Sequence, residues 1–306
     1  MANITAKDVA SLRAKTGIGM MECKKALVEA DGDMDKALKI LRERGLAVAA
    51  KKESRIAADG VVAILKNGNT TAMIEVNSET DFVAKNETFR AFVNTLLEVI
   101  VASKPANIDE LLAADCGGIT VDAKLKEMIF AIGEKINIRR FVVKEGVTST
   151  YVHGNGVAGV IVRFETDADT TSDAFAKLSK NIALQIAAGS PPSYVSREDV
   201  PAAVLEEEKN IQVAALKNDP KNAGKPDNIL EKIVLGRMGK FYEAACLLDQ
   251  SYILDDDLTV GKYIAAASKE MGASVKVVDF VLYEKGEGIE KREDNFAEEI
   301  AKLTSK

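Results

Sequence analysis

The central part of this chain repeats itself at a fixed spacing of 86 residues, and this repeat constrains the fold more than any other feature. Internal similarity at one fixed spacing indicates that a single structural unit occurs twice. We therefore predict a core built from two related halves. The matching positions are Glu79-Thr80-Asp81 with Glu165-Thr166-Asp167, Phe89 with Phe175, Leu96 with Ile182, and Pro105 with Pro191.

Each half has a strand pattern before its acidic tripeptide and a helix pattern after it. The first half also contains Asn67-Gly68 between two apolar runs, which is a strong signal for a β-hairpin. The fold class expected for the core is α+β with antiparallel sheets, divided into subdomains 54–140 and 141–285. The predicted strands are residues 60–66, 70–76, 137–144, 157–164 and 275–283, and the predicted helices are residues 85–101 and 172–188.

Residues 1–53 predict a small domain of three short helices. Thr5, with Asp8 three residues later, resembles a capping box for the first helix. Glycines and acidic residues then mark the positions where helices are expected to stop or start. The predicted helix ends are Gly17, Ala30 and Gly45, the third helix begins after Asp33, and a helical or mobile linker rich in Ala and Lys follows at residues 47–58.

Residues 200–241 predict an inserted helical hairpin, a coiled coil that projects from the second subdomain. Its charge density is high and its apolar seam is thin, which is typical of an arm rather than of a buried helix. Pro220 and Pro226 force the turn between its two helices. The residues expected to form the seam are Val204, Ile211 and Ala215 on the first helix and Leu230, Ile233, Val234 and Phe241 on the second.

Residues 286–306 predict a helical module at the end of the sequence. From residue 290 onward, Phe296, Ile300 and Leu303 recur at helical spacing on a charged background. One amphipathic helix is therefore expected, docked either on this chain or on a partner.

Composition limits the classes of function. The formal net charge is −6 and the chain lacks a long basic run, which disfavours direct binding of nucleic acid. Its apolar runs are shorter than the ~20 residues that a membrane-spanning helix needs, and its first residues lack a secretory pattern. The expectation is a cytoplasmic protein without a membrane partner. The three scattered cysteines, Cys23, Cys116 and Cys246, are expected to be reduced and mostly buried.

Residues 154–159 contain a formal GxGxxG string, which in a dinucleotide-binding fold follows a strand and opens a helix. Here the string runs directly into the strand pattern at 157–164. The favoured interpretation is a tight bend before a strand, with nucleotide binding as the minor alternative.

Other catalytic arrangements are also disfavoured. His153 is the single histidine in the chain, so neither a multi-histidine metal site nor an alternative histidine base can be built. The acidic runs 206–208 and 255–257 are more typical of solvated faces than of a cation site. The chain also lacks a GxxxxGK[ST] loop. We therefore expect no cofactor and no enzymatic activity.

The segment from Glu79 to Val83 is the strongest candidate for a functional site. Phe82 stands beside the carboxylate of Asp81 just after a strand has ended, at a position from which a scaffold can present a side chain to a partner. The alternative is that Phe82 folds back onto its own core. In the second half of the core the corresponding residue is Ala168, so only the first half has an aromatic residue there.

Several ordered strings resemble the bacterial elongation factor Ts family. The clearest are TGIGMMECKKAL at 16–27 and TDFVAKN at 80–86, together with 132–140, 151–154 and 236–241. The resemblance implies a domain like ubiquitin-associated domains at 1–53, a two-part core, a coiled coil and a helical module at the end. It implies a guanine nucleotide exchange factor that binds elongation factor Tu in its GDP-bound and nucleotide-free forms. A homodimer formed through the coiled coil is a further possibility.

The resemblance also implies roles for particular residues. Thr80, Asp81, Phe82 and Val83 would disturb the Mg²⁺ site of the partner, and His153 would lie near the same wedge. Leu12, Met20 and Met21 would contact the nucleotide-binding domain, with core packing of the helical domain as the alternative for each. Ile132 and Gly133 would supply further contacts.

Two other function classes stay open at this stage. A domain like ubiquitin-associated domains also suits a general peptide-binding or chaperone scaffold. The glycine-rich string leaves a nucleotide-binding enzyme as the third class.

Overall fold

The computed structural model describes residues 4–188, 190–219 and 225–290. The chain forms two compact units. The first contains the described residues up to Val143, the segment Gly154–Ala158 and the residues from Tyr283 onward. The second contains Lys144–His153 and Gly159–Leu282. The amphipathic helix predicted from residue 290 lies outside the described residues, apart from its first residue.

Three helices open the first unit, α1 (Ala6–Thr16), α2 (Met20–Glu29) and α3 (Met34–Lys52). The capping box predicted at Thr5 is confirmed, because Thr5 and Asp8 exchange hydrogen bonds between side chain and backbone. Gly17 ends α1 in the left-handed conformation, and the Asp33 carboxylate caps α3. The three helices enclose a core of their own, formed mainly by Val9, Leu12, Ile18, Cys23, Leu27 and Leu41.

The predicted end of the third helix at Gly45 was wrong, because α3 continues to Lys52. Gly45 is buried against α7 (Val121–Ile132), where a Cβ atom would lie 3.5 Å from the Cβ of Phe130. Gly45 is therefore a packed position inside the helix and does not act as a cap. The first half of the predicted linker, residues 47–52, is the last part of this helix.

The sheet of the first unit has the strand order β1 (Asp59–Asn67), β2 (Thr70–Ser78), β3 (Ile136–Glu145). Strands β1 and β2 are antiparallel, and Asn67 pairs with Thr70 across the turn, so the predicted hairpin is confirmed. The helices α4 (Asp81–Lys85), α5 (Glu87–Ser103), α6 (Ile108–Ala113) and α7 follow β2 along the chain. The core of this part includes Ile74, Val76, Phe89, Phe92, Leu96, Leu97 and Ile100.

The helix predicted at 85–101 is confirmed as α5, and the short helix α4, which was not predicted, precedes it and is separated from it at Asn86. Asn86 has an extended backbone, and its side-chain oxygen accepts hydrogen bonds from the N–H groups of Thr88 and Phe89. It is therefore the N-cap of α5, and the chain starts a new helix there. Phe82 consequently lies on a short helix of its own.

A buried charge joins the segment that contains Gly286 to the first sheet. Glu75, fully buried in β2, accepts hydrogen bonds from Arg139 at 3.0 Å, from Arg140 at 2.6 Å and from the N–H of Gly286 at 2.8 Å. The guanidinium of Arg140 also lies 4.1 Å from the ring centroid of Tyr283. Both arginines and the backbone donor thus compensate for the burial of the carboxylate.

The second unit has a sheet with the strand order β4 (Val147–His153), β5 (Ala158–Thr166), β8 (Val275–Glu284). Helix α8 (Asp173–Ala188) follows β5, and α11 (Val260–Met271) precedes β8. Between them lie α9 (Ala202–Asn218), α10 (Asp227–Ala245) and a small hairpin of β6 (Ser251–Tyr252) and β7 (Asp255–Thr259). The core includes Val160, Val162, Phe164, Phe175, Leu178, Ile182 and Ile186.

The two units share one plan. In each, a hairpin supplies the first two strands, a long helix follows the middle strand, and a strand from much later in the chain completes the sheet. The paired residues Phe89 and Phe175 are both buried. The expected α+β class with antiparallel sheets is confirmed, and the shared plan explains why the repeat is visible in the sequence.

Helices α9 and α10 pack on each other through a small core of their own. On α10 the predicted seam residues Leu230, Ile233, Val234 and Phe241 belong to this core. On α9 the prediction was wrong: Ile211 and Ala215 are exposed, and Leu205, Val213 and Leu216 form the seam instead. The large apolar residues of α9 are spread around the helix, so its pattern alone did not fix which face is buried.

Each helix in the described part of the chain is too short or too polar to span a bilayer. The same part of the chain contains no group of three or more His, Cys, Asp or Glu side chains that could hold a metal ion.

Candidate functional site

The candidate site is the corner at which the chain passes from β2 into α4. Thr80 has an extended backbone, and its hydroxyl oxygen caps α4 by accepting the N–H of Val83 at 3.4 Å. Val83 and Ala84 are buried in the core beneath the helix. The side of α4 that carries these two residues therefore holds the helix to the core.

Phe82 points away from this core and is 80% exposed. The core-packing alternative for this side chain is thus contradicted by its exposure. Ala168, its counterpart in the second unit, is half-buried and packs against the core there. The second copy of the fold therefore has a small residue at the equivalent position and no exposed ring.

Glu134 holds the corner through two hydrogen bonds to Thr80. Its carboxylate accepts the backbone N–H of Thr80 at 3.0 Å and the hydroxyl of Thr80 at 2.8 Å. Glu134 follows directly after Gly133, whose left-handed conformation ends α7. The loop after α7 is in this way bound to the start of α4.

A second carboxylate supports the same loop. Glu79 accepts the backbone N–H of Lys135 at 2.6 Å and pairs with Arg55 at 3.1 Å. Burial opposes ionisation of Glu79, but these hydrogen bonds outweigh it and hold the pKa of the carboxyl below its ordinary value. The ammonium of Lys135 donates to the carbonyls of Glu53 and Arg55, so the loop is also bound to the segment after α3.

Asp81, beside Phe82, carries its charge at the surface. Its carboxylate pairs with Lys85 one helical turn later, at 2.6 Å. The hydrogen bond from Lys85 is the main reason that the pKa of Asp81 is lowered. Because both side chains are well exposed, the pair adds little to stability. The corner therefore presents an aromatic ring next to an ionised carboxylate.

The remaining expected contact residues differ in accessibility. Met20 and Met21 on α2 are 45% and 65% exposed, and Gly133 is exposed beside the corner. Ile132 is half-buried against the first core. Leu12 is fully buried in the core of the three helices, so its side chain has no surface to offer a partner, and the core-packing alternative holds for it.

His153 ends β4, is exposed, and belongs to the second unit. Its Nδ1 atom lies 3.2 Å from the hydroxyl of Tyr151. The glycine-rich string after it forms a turn that leads into β5, and Gly154, Asn155 and Gly156 all have positive φ. The prediction of a tight bend before a strand is confirmed, and the helix that a dinucleotide-binding fold requires at this string is absent from these described residues.

Two residues that position the corner were not recognised in the sequence. Glu134 reaches Thr80 across 54 residues of sequence, and Arg90 on α5 hydrogen-bonds the carbonyl oxygen of Ala84 in α4 at 3.0 Å. The available signal for Glu134 was its place directly after the glycine that ends α7. Arg90 gave no comparable signal, since an arginine near the start of a helix is ordinary.

Comparison with known proteins gives consistent results. The model of the family described as elongation factor TS matches residues 79–287. The elongation factor Ts of Syntrophotalea carbinolica is 45% identical, with coverage of 98% of this chain and 99% of the relative. The elongation factors Ts of Clostridioides difficile and Trichlorobacter lovleyi are 47% and 46% identical, covering 99% and 97% of both chains. With its sequence similarity extending over nearly its full length, the chain belongs to the elongation factor Ts family.

Proposed function

We propose that this chain is a guanine nucleotide exchange factor that binds elongation factor Tu with GDP and promotes release of the GDP in the cytoplasm. Membership of the family supports the choice of partner. The observation that carries the proposal is the exposure of Phe82 on a helix held from below by Val83 and from the side by Glu134.

The proposed role requires binding but no catalytic acid or base. A GTPase holds its nucleotide through a phosphate-binding loop and a Mg²⁺ ion, so a disturbance of either lowers nucleotide affinity. The exchange factor must bind the nucleotide-free GTPase more tightly than the loaded form. By thermodynamic linkage, bound nucleotide then lowers the affinity of the GTPase for the exchange factor to the same extent as the exchange factor lowers its affinity for nucleotide. The protein is accordingly not an enzyme in this proposal and needs no cofactor.

Phe82 and Asp81 would act at the partner's Mg²⁺ site. A phenyl ring is large and rigid, so it can displace apolar packing in the partner with little loss of conformational entropy. Asp81 brings a negative charge to a site where the partner's own ligands hold a cation. Thr80 and Val83 fix the corner in advance, which lowers the ordering cost of binding.

Other exposed residues would extend the contact. Met20 and Met21 offer adaptable apolar side chains. Ile132 is the last residue of α7, and Gly133 begins the loop that Glu134 attaches to the corner. His153 would contribute from the second unit. Leu12 would act only by supporting α2 from within the helical core. A second copy would pair through the exposed apolar residues of the arm, which are Ile211, Ile229 and Leu235.

The test is stopped-flow release of a fluorescent GDP analogue from purified elongation factor Tu, with and without this protein. We expect a saturable acceleration with the native chain and a strong reduction with Phe82→Ala. Leu254→Ala is the matched control, because Leu254 is also exposed, at 61%, but lies in the second unit. The Leu254→Ala variant should accelerate GDP release as much as the native chain does.

Two outcomes would overturn the proposal. An unchanged release rate would favour the scaffold class, whose members bind partners without releasing nucleotide. Tight GDP binding to the isolated chain in isothermal titration would favour the nucleotide-enzyme class.

A further inference from the structure

One edge of the Arg90 guanidinium joins two backbone segments that are far apart in sequence. Nε donates to the carbonyl oxygen of Ala84 at 3.0 Å, and Nη2 donates to the carbonyl oxygen of Asn155 at 2.9 Å. Ala84 lies in α4, and Asn155 lies in the glycine-rich turn after His153. All three residues that make these contacts belong to the first unit.

The first of these segments needs support from outside. Helix α4 has five residues, too few for a helix to be stable by its own hydrogen bonds. The carbonyl of Ala84 lies in its last turn, where carbonyl groups have no partner within the helix. A fixed positive charge is also favourable at that end. Arg90 therefore supports the end of α4 opposite to the one that Thr80 and Glu134 hold.

The second segment is strained. Asn155 has a φ of 58° between Gly154 at 56° and Gly156 at 102°, and a left-handed conformation is unfavourable for a residue with a side chain. The turn persists because neighbours fix it. The carbonyl of Gly156 accepts the N–H of Val62 at 2.8 Å, and a Cβ atom on Gly156 would lie 2.9 Å from the carbonyl oxygen of Val62. Arg90 adds a bond directly at the strained residue.

The second half of the core lacks this arrangement. At the spacing of 86 residues, Arg90 corresponds to Ala176 and Phe82 corresponds to Ala168. Both halves retain the buried phenylalanine next to this position, Phe89 and Phe175. The fold itself therefore does not require the arginine. It occurs in the half that carries the exposed ring.

We infer that Arg90 is a positioning residue that fixes the Phe82 helix relative to the turn that begins after His153. This inference rests on the proposed function and adds a residue to it. Arg90 need not touch the partner. It holds the Phe82 helix and this turn in one arrangement before the partner binds, so the entropy cost of ordering the helix has already been met in the free protein.

Arginine is suited to this role because Nε–H and Nη2–H point in parallel from one planar edge. Lysine carries the same charge but has a single ammonium group on a flexible stem, so it cannot reproduce both bonds in fixed geometry. Arg90→Lys therefore tests the geometry, and Arg90→Met tests the loss of both bonds while keeping most of the stem.

The first measurement needs no partner. Amide hydrogen exchange should become about fivefold or more faster at Asn86, whose N–H closes α4, and at Val62, whose N–H binds the turn. Arg90→Met should produce both changes, and Arg90→Lys should reproduce most of them. Lys177→Met, which alters an exposed residue on α8, should produce neither. Unchanged exchange at both amides would overturn the inference, whatever the protein does to its partner.

The second measurement is a double-mutant cycle on GDP release at saturating exchange factor. Arg90→Met should slow GDP release about five- to tenfold in the native background and less than twofold in the Phe82→Ala background. The second effect is small because Phe82→Ala has already removed the ring that Arg90 positions. Equal effects in both backgrounds would show that Arg90 does not act through Phe82. If the native chain fails to accelerate GDP release, the proposed function is refuted. The amide hydrogen exchange measurement then decides by itself whether Arg90 holds the Phe82 helix and the turn together.

Discussion

The carboxylate of Glu134 accepts two hydrogen bonds from Thr80. One comes from the backbone N–H at 3.0 Å, and the other comes from the hydroxyl at 2.8 Å. Both oxygens are used, one for each donor. The pairing joins the loop after α7 to the first residue of the corner, and it fixes the cap from which α4 begins. The direction of the Phe82 helix thus depends on a residue that lies outside it.

Replacement of Glu134 by Gln should separate positioning from stability. Gln keeps the size but has only one oxygen, so one of the two Thr80 donors loses its acceptor. We expect GDP release at saturation to slow several-fold while the melting temperature falls by only a few degrees. Glu127→Gln is the control, since Glu127 lies on α7 and pairs with Lys124 at the surface. Native release by Glu134→Gln would show that the bond is dispensable.

Phe82→Ala should leave the stability of the protein nearly unchanged, because the ring is 80% exposed. Loss of a rigid aromatic at an interface should cost about 2 kcal/mol or more of coupling, which slows assisted GDP release by tens-fold. Excess Mg²⁺ should worsen the defect. Phe89→Ala provides the contrast, because Phe89 is fully buried and its truncation should cost about 3–5 kcal/mol of folding stability.

Both variants should be measured for melting and for release on the same preparation. A large loss of stability in Phe82→Ala, with normal release by the fraction that remains folded, would assign Phe82 a structural role.

Glu75 should give the protein part of its acid sensitivity. Burial opposes ionisation of this carboxyl, but hydrogen bonds from Gly286, Asn77, Arg139 and Arg140 outweigh it and hold the pKa below its ordinary value. A carboxyl whose pKa is lower in the folded state binds fewer protons there than in the unfolded state. Its stabilisation is therefore fully present above the unfolded value of about 4.3 and is lost as the pH falls through the lower folded value.

Urea unfolding of the native chain and of Glu75→Gln between pH 3 and pH 7 tests this assignment. The variant should be less stable at pH 7 by about 3 kcal/mol, since it leaves two arginines without their buried partner. Its unfolding free energy should also decline less steeply below pH 4.5. An acid decline as steep as that of the native chain would show that other carboxyls, such as Asp279, account for it.

Gly286 and Gly288 offer a matched pair for testing close packing. Their φ angles are nearly equal, at 71° and 70°, but a Cβ atom on Gly286 would lie 2.3 Å from the carbonyl oxygen of Ala58, whereas nothing lies within 4 Å of one on Gly288. Gly288→Ala should cost about 1–2 kcal/mol from its backbone conformation alone. Gly286→Ala should cost about 1–3 kcal/mol more, because the backbone must move.

Equilibrium unfolding of the two glycine variants measures this difference directly. Equal losses of stability would mean that the segment after β8 moves away from Ala58 at little cost.

The arm formed by α9 and α10 should be dispensable for folding of the rest of the chain. Its apolar side chains pack mainly on each other. Replacement of residues 204–238 by a short Gly-Ser linker leaves the base intact, where the guanidinium of Arg197 stacks over Tyr242 and the carbonyl of Ala245 accepts two N–H groups. Circular dichroism should show a loss of helix with a cooperative melting transition retained. An insoluble or unfolded remainder would contradict the view of the arm as a separate module.

Local patterns predicted most of the two sheets and the long helices of the core. The hairpin at Asn67-Gly68 and the strands β3 and β8 could be located because turn chemistry and alternation act over a few residues. Errors occurred where a distant partner decides the structure. Gly45 resembles a helix end in the sequence, but its neighbour Phe130 lies 85 positions further on, as the two residue numbers show.

The candidate site could be predicted in part for the same reason. The place of Phe82 between a strand and a helix was compatible with either an exposed ring or a ring packed on the core, and the family resemblance favoured the exposed ring. The residues that hold it could not be predicted, because the bond between Glu134 and Thr80 spans 54 residues and that between Arg90 and Asn155 spans 65. Helix α7 was also missed: it contributes Ile129 to one core and packs Phe130 against another, which removes the clear polar face that amphipathic helices show.

The exposure of the Phe82 ring also sets an upper limit on what this single side chain can do. Complete burial of a phenylalanine that was exposed before is worth about 1.5–3 kcal/mol. Because a tenfold change corresponds to about 1.4 kcal/mol, the ring alone can shift the competition between factor and nucleotide by roughly 10- to 150-fold. Any larger displacement must draw on the rest of the contact surface. If binding of the exchange factor lowers nucleotide affinity by more than that range, Phe82 determines which part of the nucleotide site is disturbed. The wider interface then determines how far the nucleotide affinity falls.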